Sequence, residues 1–182
     1  MEITFTVATT SFELNQILEL QKQNLRHTQS QEIEADQGFV TVQHNIDILL
    51  DMNKEANHII AKDGDTVVGY ALAMTRAFRF KVSILTPMFD LLDNLHVDGK
   101  KIGDQDYIVM GQVCIHKDYR GRGVFKGMYS KYFEIYKPLF GWVITEIAER
   151  NNRSLKAHFN VGFKEIYRYS EPGIEEWVVV RY

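Results

Sequence analysis

The feature that most constrains the fold is an apolar run, YIVMGQVCI at 107–115, that leads into two closely spaced glycines and then a helix. The run is apolar on both faces, which is typical of a central strand. After the RGRG segment at 120–123, apolar residues recur with helical period and stop before Pro138, and 142–147 reads as the next strand. Strand, helix and strand in this order predict a right-handed parallel crossover. Gly111 inside the first strand predicts a bulge or a close backbone approach.

Elements on both sides of this unit predict one mixed α/β domain over residues 1–182. A capping box at 10–13 predicts the start of a helix. The apolar stripe at 42–50 predicts a second helix, and Asp-Gly at 63–64 between two apolar runs predicts a hairpin. The predicted order is β α α β β (α) β α β α β β, in which the bracketed helix belongs to a longer insertion at 76–106.

Charge and composition exclude several classes of protein. With 21 Lys and Arg against 24 Asp and Glu, the net charge is −3, which argues against a nucleic-acid-binding protein. The longest apolar stretch, 67–74, is far shorter than the ~18 residues of a membrane-spanning helix, and the N-terminus has no signal-peptide pattern. The single cysteine, Cys114, cannot form an internal disulfide, which predicts a cytoplasmic location. The six histidines lack metal-binding spacing, so no metal is expected.

The glycine segment between strand and helix predicts a phosphate site. Gly121 and Gly123 let backbone amides turn toward one point, and the start of the helix adds its dipole. Arg120, Arg122 and Lys126 would add cationic partners for a diphosphate. The alternative is a tight turn with a solvated basic rim, because glycine motifs are weak evidence alone. The spacing fits neither a P-loop nor a dinucleotide fingerprint.

Two stretches, VCIHKDYRGRGV and TEIAERNNRSLKAHFNVGF, resemble the GCN5-related N-acetyltransferases (the GNAT family). Arg120 and Gly123 match the family's Gln/Arg-x-x-Gly-x-Gly/Ala motif, with Phe125 where a small residue is usual. Glu146, Asn151 and His158 match a second motif in family members similar to protein N-terminal acetyltransferases. The resemblance implies a GNAT fold: a mixed, mostly antiparallel sheet with a splayed parallel strand pair, flanked by helices.

The resemblance also implies acetyl-CoA as cosubstrate, bound where the parallel strands separate. The backbone of one strand would hold the pantetheine and polarise the thioester, the glycine loop would hold the diphosphate, and an asparagine would contact the pantetheine arm. The residues implied are, in that order, Val113, Cys114 and Ile115; Arg120, Gly121, Arg122, Gly123, Val124, Phe125 and Lys126; and Asn151.

The reaction requires an acceptor amine to lose a proton, and Glu146 is the candidate general base. His158, at the position where the family has a tyrosine proton donor, is the candidate acid. The alternatives are a solvated glutamate and a capping or core histidine, with direct attack driven mainly by positioning. Cys114 as a nucleophile is disfavoured, because a free cysteine in a strand is usually a small core residue.

Two acidic loops, 26–40 and 170–176, correspond to the loops that build the acceptor cleft in the family. They favour a cationic amine acceptor on a small molecule or a peptide, and the alternative is ordinary surface charge. The acidic residues are Glu32, Glu34 and Asp36 in the first loop and Glu171, Glu175 and Glu176 in the second. The 76–106 insertion is expected either to cover the cleft or to form a homodimer contact.

Two functions remain open on the sequence. The first is an acetyl-CoA-dependent N-acetyltransferase that moves the acetyl group to a primary amine by direct attack in a ternary complex. The alternative is a non-catalytic acyl-CoA-binding or sensing module of the same fold. Phe125 and His158, as departures from the family pattern, favour the module, whereas Glu146 and Asn151 favour the enzyme.

Overall fold

The structure is a computed structural model that describes residues 2–25, 39–173 and 175–182. Its strands are β1 Thr4–Val7, β2 Ile59–Asp63, β3 Thr66–Met74, β4 His96–Val97, β5 Lys100–Lys101, β6 Tyr107–Ile115, β7 Trp142–Ala148, β8 Lys164–Glu171 and β9 Glu175–Arg181. Its helices are α1 Ser11–Gln23, α2 Ile46–Glu55, α3 Thr86–Asn94, α4 Val124–Tyr136 and α5 Asn152–Asn160. Seven strands form one sheet in the order β1-β2-β3-β6-β7-β9-β8, and β4 pairs with β5 in a separate hairpin.

The sheet is covered on both faces, and each face has its own apolar core. Alternation along β3 shows the division: Tyr70 and Leu72 point to the core shared with α1, α2 and α3. Ala71 and Ala73 point to the opposite core, which α4 fills with tyrosines such as Tyr129. The sheet therefore presents small side chains where the helix brings large ones, as close packing requires.

The parallel pair in the centre of the sheet is short. β6 and β7 pair only through 107–109 and 142–144, whereas every other neighbouring pair in the large sheet is antiparallel. Directly after this pairing, β6 contains a bulge: Leu72 pairs with Gln112 and Ala73 with Met110, which leaves Gly111 unmatched. A bulge bends its strand, so β6 turns away from β7 beyond this point. The splayed strand pair and the bulge at Gly111 are both confirmed.

Helix starts follow the capping groups of the sequence. Thr10 and Glu13 form the expected capping box, in which the Thr10 hydroxyl accepts from the Glu13 amide at 3.2 Å. The predicted start of the second helix near Val42 is wrong, because α2 begins at Ile46. Asn45, which has an extended backbone, caps that helix by accepting from the Ile48 amide at 2.9 Å.

The insertion at 76–106 contains the expected helix and adds elements that the sequence did not reveal. Two 3-10 turns, at 76–80 and 83–85, precede α3, and the β4–β5 hairpin follows it. Met88, Phe89 and Leu92 of α3 are buried in the core that α1 and α2 share. The insertion is therefore packed onto the sheet through its helix.

Candidate active site

A cleft of about 380 Å³ opens where β6 and β7 separate. Its walls are the second half of β6, the glycine loop, the start of α4 and one side of α5. It brings together ten of the residues that the sequence assigned to cofactor binding: Val113, Cys114, Ile115, Arg120, Gly121, Gly123, Val124, Phe125, Lys126 and Asn151. Arg122 is not part of the cleft lining, and its guanidinium carbon lies 5.5 Å from the centre of the ring of Tyr119, a lining residue.

The glycine loop adopts a backbone conformation that side chains disfavour. Gly121 has a φ of 75° and Gly123 a φ of 79°, both in the left-handed region. A Cβ atom at either position would meet no atom within 4 Å, so the space beside the loop is open. Gly123 precedes α4, and no side chain among the described residues caps this helix. The first amides of α4 are therefore available to an anion in the cleft.

The Arg120 side chain forms hydrogen bonds with two elements of the cleft wall. Its Nε donates to the Ile115 carbonyl at 3.0 Å, and Nη2 donates to the side-chain oxygen of Asn24 at 2.7 Å. Burial lowers the pKa of Arg120, although an arginine keeps its charge at neutral pH. The residue thus ties the end of β6 to the end of α1.

Asn151 connects the start of α5 to Phe39, which also lines the cleft. Its side-chain oxygen accepts from the Ser154 amide at 3.2 Å, which caps α5. Its Nδ2 donates to the carbonyl of Phe39 at 3.3 Å. The Phe39 ring is buried, and the guanidinium carbon of Arg150 lies 4.2 Å from its centre. Sequence reasoning identified neither Phe39 nor Arg150, because an isolated aromatic after a polar segment gives no signal of its place.

A second, smaller cavity of about 70 Å³ adjoins the cleft and shares Phe39, Val113 and Asn151 with it. Glu146 and His158, the two residues assigned to catalysis from the sequence, both line this cavity. The structure thus brings the candidate base and acid together, next to the wall of the larger cleft.

Glu146 is partly buried and accepts a hydrogen bond from the Tyr169 hydroxyl, with 2.7 Å between Oε2 and Oη. Burial raises the pKa of Glu146, the Tyr169 hydrogen bond lowers it, and nearby Glu171 raises it, with a net value of about 7. A carboxyl with this pKa is half ionised at neutral pH, which is the condition for accepting and returning a proton. Sequence reasoning missed Tyr169, which reaches Glu146 from two strands away.

His158 is 1% exposed and has partners on both ring nitrogens. Nδ1 lies 2.7 Å from the Ser154 carbonyl, so it carries the proton, and Nε2 then accepts from the Tyr129 hydroxyl at 2.6 Å. Burial lowers the pKa of His158 to about 4. The Phe125 and Phe163 rings pack edge-on against the imidazole at 5.1 and 5.3 Å. The ring is therefore neutral at pH 7 and joins α4 to α5.

Cys114 lines the large cleft as a protonated thiol. The residue is 7% exposed, and burial raises the pKa of its thiol to about 12. A nucleophilic cysteine needs a thiolate, so the surroundings of Cys114 agree with a packing role.

The acidic residues of the β8–β9 loop have partners within the chain. Glu175 accepts from Arg150 at 2.8 Å, Glu171 accepts from the indole of Trp177 at 3.2 Å, and Glu176 accepts from Ser170. The acidic residues of the first loop, Glu32, Glu34 and Asp36, lie outside the described residues.

Among the described residues, no group of three or more His, Cys, Asp or Glu side chains could hold a metal ion. Within residues 2–25, 39–173 and 175–182, no helix has the length and apolar character needed to cross a bilayer.

Residues 14–163 match the model of the Acetyltransferase (GNAT) family. The match covers most of the chain, and the chain belongs to this family. Family membership confirms the recognition made from the two sequence motifs, and with it acetyl transfer from acetyl-CoA as the general reaction. No curated protein sequence matches the chain.

Solved structures share the fold at low sequence identity. The ribosomal-protein-S18-alanine N-acetyltransferase from Escherichia coli has a TM-score of 0.64 at 10% identity, over 99% of this chain and 92% of that one. YncA from Salmonella typhimurium, solved with acetyl-CoA, has a TM-score of 0.64 at 14% identity, over 99% and 92%. NAA60 from Arabidopsis thaliana, also with acetyl-CoA, has a TM-score of 0.62 at 15% identity, over 100% and 99%. These likenesses confirm the predicted GNAT fold class.

Proposed function

We propose that the protein is an N-acetyltransferase that moves an acetyl group from acetyl-CoA to a primary amine, by direct attack in a ternary complex. The observation that carries this proposal is the pair of adjoining cavities. One has the dimensions and backbone groups suited to a nucleotide thioester, and the other holds a carboxyl with a pKa of about 7. Their shared wall at Val113 and Asn151 is where donor and acceptor would meet.

The large cleft suits the donor molecule in three ways. Its volume of about 380 Å³ falls in the usual range for ligand sites. One edge of 113–115 pairs with β3, while the other edge faces the cleft, because β7 pairs with β6 only as far as Val109. The open space at Gly121 and Gly123 and the free amides at the start of α4 suit the diphosphate.

When bound, acetyl-CoA supplies the activated acetyl group that the acceptor amine attacks. Glu146 takes a proton from the ammonium form of the acceptor, which frees the nitrogen lone pair for attack. The new bond joins the amine nitrogen to the acetyl carbon, and the carbon–sulfur bond breaks. The products are the amide, the free thiol and one proton, so charge and atoms balance.

The surroundings of His158 favour a structural role over acid catalysis. Its single proton is held against the Ser154 carbonyl, and with a pKa of about 4 the ring has no second proton to donate at pH 7. We therefore assign the leaving thiolate no side-chain acid and expect it to be protonated by solvent from the open cleft.

The acceptor we propose is a slender primary amine, on a small molecule or at the end of a peptide. A cavity of about 70 Å³ beside Glu146 has room for an amino group and its nearest carbons, since a water molecule takes ~30 Å³ in the liquid. The Escherichia coli neighbour acts on an alanine of ribosomal protein S18, and another neighbour, the NatC complex, is bound to a Gag peptide. The pairing of Glu175 with Arg150 leaves less charge to select a cationic acceptor.

We further propose that the chain acts as a single domain in the cytoplasm. The insertion at 76–106 contributes α3 to the same core as α1, which supports one folding unit. The lone cysteine, kept as a buried thiol, is consistent with a reducing compartment.

The function is tested by release of the CoA thiol from acetyl-CoA with a panel of primary amines and short peptides. We expect turnover with at least one amine, and a fall of about 100-fold in Glu146→Gln, the range for a lost general base. Glu149→Gln is the matched control, because Glu149 is an exposed carboxylate just beyond the same strand.

One outcome would favour the alternative of a non-catalytic module. Phe125 occupies part of the cleft where the family has a small residue, and this observation is what keeps the module under consideration. If acetyl-CoA raises the Tm but no amine releases thiol, the protein binds the donor without transferring its acetyl group.

A further inference from the structure

Tyr169 makes a contact with Glu146 that the strand order does not make obvious. Tyr169 lies on the edge strand β8 and Glu146 on β7, with β9 between them. The register shift between Glu165 and Tyr167 changes which β9 residues β8 faces, and Tyr169 pairs with Trp177 while Glu146 pairs with Val179. The phenol spans β9 and donates to Oε2 of Glu146 at 2.7 Å.

This contact occupies one carboxylate oxygen and leaves the other unassigned. The Tyr169 hydroxyl donates to Oε2, so Oε1 is the oxygen we assign to the acceptor amine in the small cavity. Burial raises the pKa of Tyr169 above its usual value, so the phenol keeps its proton and remains a donor over the working pH range. A donor of this kind stabilises the ionised form of its carboxylate partner.

The other titratable groups facing Glu146 do not supply this stabilisation. Glu171, two residues beyond Tyr169 on β8, disfavours the ionised form because it has the same charge. His158 on α5 is neutral, and the side chains that β6, β9 and 39–41 contribute to the cavity are uncharged. Among the described residues, Tyr169 is the group whose contact favours the carboxylate.

We propose that Tyr169 is a positioning residue for the reaction: it holds one oxygen of Glu146 and directs the other toward the acceptor amine. The same hydrogen bond favours the ionised form of Glu146. This inference rests on the proposed function, because it requires Glu146 to accept the proton of the acceptor. A packing role would not have this consequence: removal of the Tyr169 hydroxyl must change the pH at which the Glu146 carboxyl titrates.

The test compares Tyr169→Phe with Tyr167→Phe, which removes the hydroxyl of a tyrosine two residues earlier on β8 that is 41% exposed. The Glu146 carboxyl is titrated by NMR in protein with ¹³C-labelled glutamate, and its signal is identified by its loss in Glu146→Gln. A hydrogen bond to a charged group is worth enough to move a pKa by about one unit. We therefore expect the midpoint to rise by about one pH unit in Tyr169→Phe and to stay unchanged in Tyr167→Phe.

The rate of acetyl transfer should follow the same titration. In Tyr169→Phe, kcat/KM should fall by about tenfold at pH 6 and by little at pH 9, because fewer Glu146 side chains are ionised at low pH. An unchanged midpoint, or a loss of the same size at every pH together with a raised KM, would overturn the inference and leave Tyr169 with a packing role only. A shifted midpoint in a protein that acetylates no amine would instead uphold the contact and refute the proposed function.

Discussion

The two adjoining cavities are built in different ways. The large cleft owes its shape mainly to backbone: a strand edge released by a bulge, two left-handed glycines, and the uncapped start of α4. The small cavity depends on side chains that reach in from separate elements, with Tyr169 on Glu146 and Arg150 on Phe39. A site made of backbone tolerates most side-chain changes but not the loss of a special conformation. A site made of side chains is instead sensitive to single side-chain substitutions.

The largest effect is expected for Glu146→Gln, which should slow acetyl transfer without weakening the binding of acetyl-CoA. Glu146→Gln should lower kcat/KM by about 100-fold while leaving the rise in Tm on addition of acetyl-CoA unchanged, because Glu146 does not line the donor cleft. Steady-state kinetics and thermal unfolding on the same preparation check this. A variant that lost its response to acetyl-CoA would break the division between the two cavities.

The second effect concerns acid stability, which should be set by three buried histidines, one of which, His158, lines the small cavity. Burial lowers the pKa of His44 to about 4, of His58 to about 3 and of His158 to about 4. The unfolded chain, with histidine pKa values near ~6.5, binds more protons, so stability is lost as pH falls from about 6.5 toward 4. Glu146 opposes the three histidines, because its pKa of about 7 makes the folded protein bind one more proton.

Between pH 5.5 and 6.5 the three histidines of the unfolded chain bind about two protons on average. Glu146 offsets about one of them, so the net is about one proton, or roughly 2 kcal/mol of unfolding free energy over this pH unit. Urea denaturation at pH 5.5 and 6.5 measures it. Glu146→Gln removes the opposing group and should make the dependence steeper by about one proton. Equal stability at both pH values would show that the buried histidines are not held neutral.

Next in size is the effect of Gly123→Glu on donor binding. A side chain at a φ of 79° is strained, and its carboxylate would repel a diphosphate at the start of α4. We expect acetyl-CoA to bind about tenfold more weakly or worse, measured by the Tm shift or by calorimetry. Gly123→Ala keeps the strain without the charge and should lose less. Equal losses in the two variants would assign the effect to backbone strain alone.

The smallest effect is expected at His158. His158→Gln removes an imidazole that joins Tyr129 to Ser154, so the protein should lose stability while kcat falls by less than about tenfold. The shape of the pH–rate profile should stay that of the wild type. A profile that lost a limb in this variant would restore His158 as the proton donor and place it among the catalytic residues.

Much of the donor cleft could be predicted from sequence, because backbone features leave local signals. The glycine spacing at 121 and 123 and the bulge at Gly111 each act within a few residues of their own position. Glu146 was identified from its spacing to Asn151 and His158, which matches the second family motif. Helix α2 shows the limit of periodicity: its start is set by the cap at Asn45 and not by the apolar stripe that begins at Val42.

The small cavity could not be predicted because its contacts are lateral, that is, they join side chains that are distant in sequence. Tyr169 reaches Glu146 only because of a register shift in β8 and the width of one intervening strand, and neither is written in local sequence. The burial of His158 depends on rings from two other elements, Phe125 and Phe163. The donation of Arg120 to the Ile115 carbonyl and to Asn24 is also lateral, because Asn24 lies at the end of α1, far away in sequence.

The short pairing between β6 and β7 has a mechanical consequence. The sheet consists of two antiparallel parts, which we call plates: β1-β2-β3-β6 and β7-β9-β8. Among the described residues, the strands of the two plates pair with each other only through the short parallel pairing of 107–109 with 142–144, the strip. A change in the angle between the plates would widen or narrow the cleft without breaking either antiparallel ladder. A molecule that contacts both plates would restrain the angle between them and stabilise the pairing in that strip. We therefore expect amide exchange at 107–109 and 142–144 to slow when the cleft is filled, and exchange inside each plate to change little.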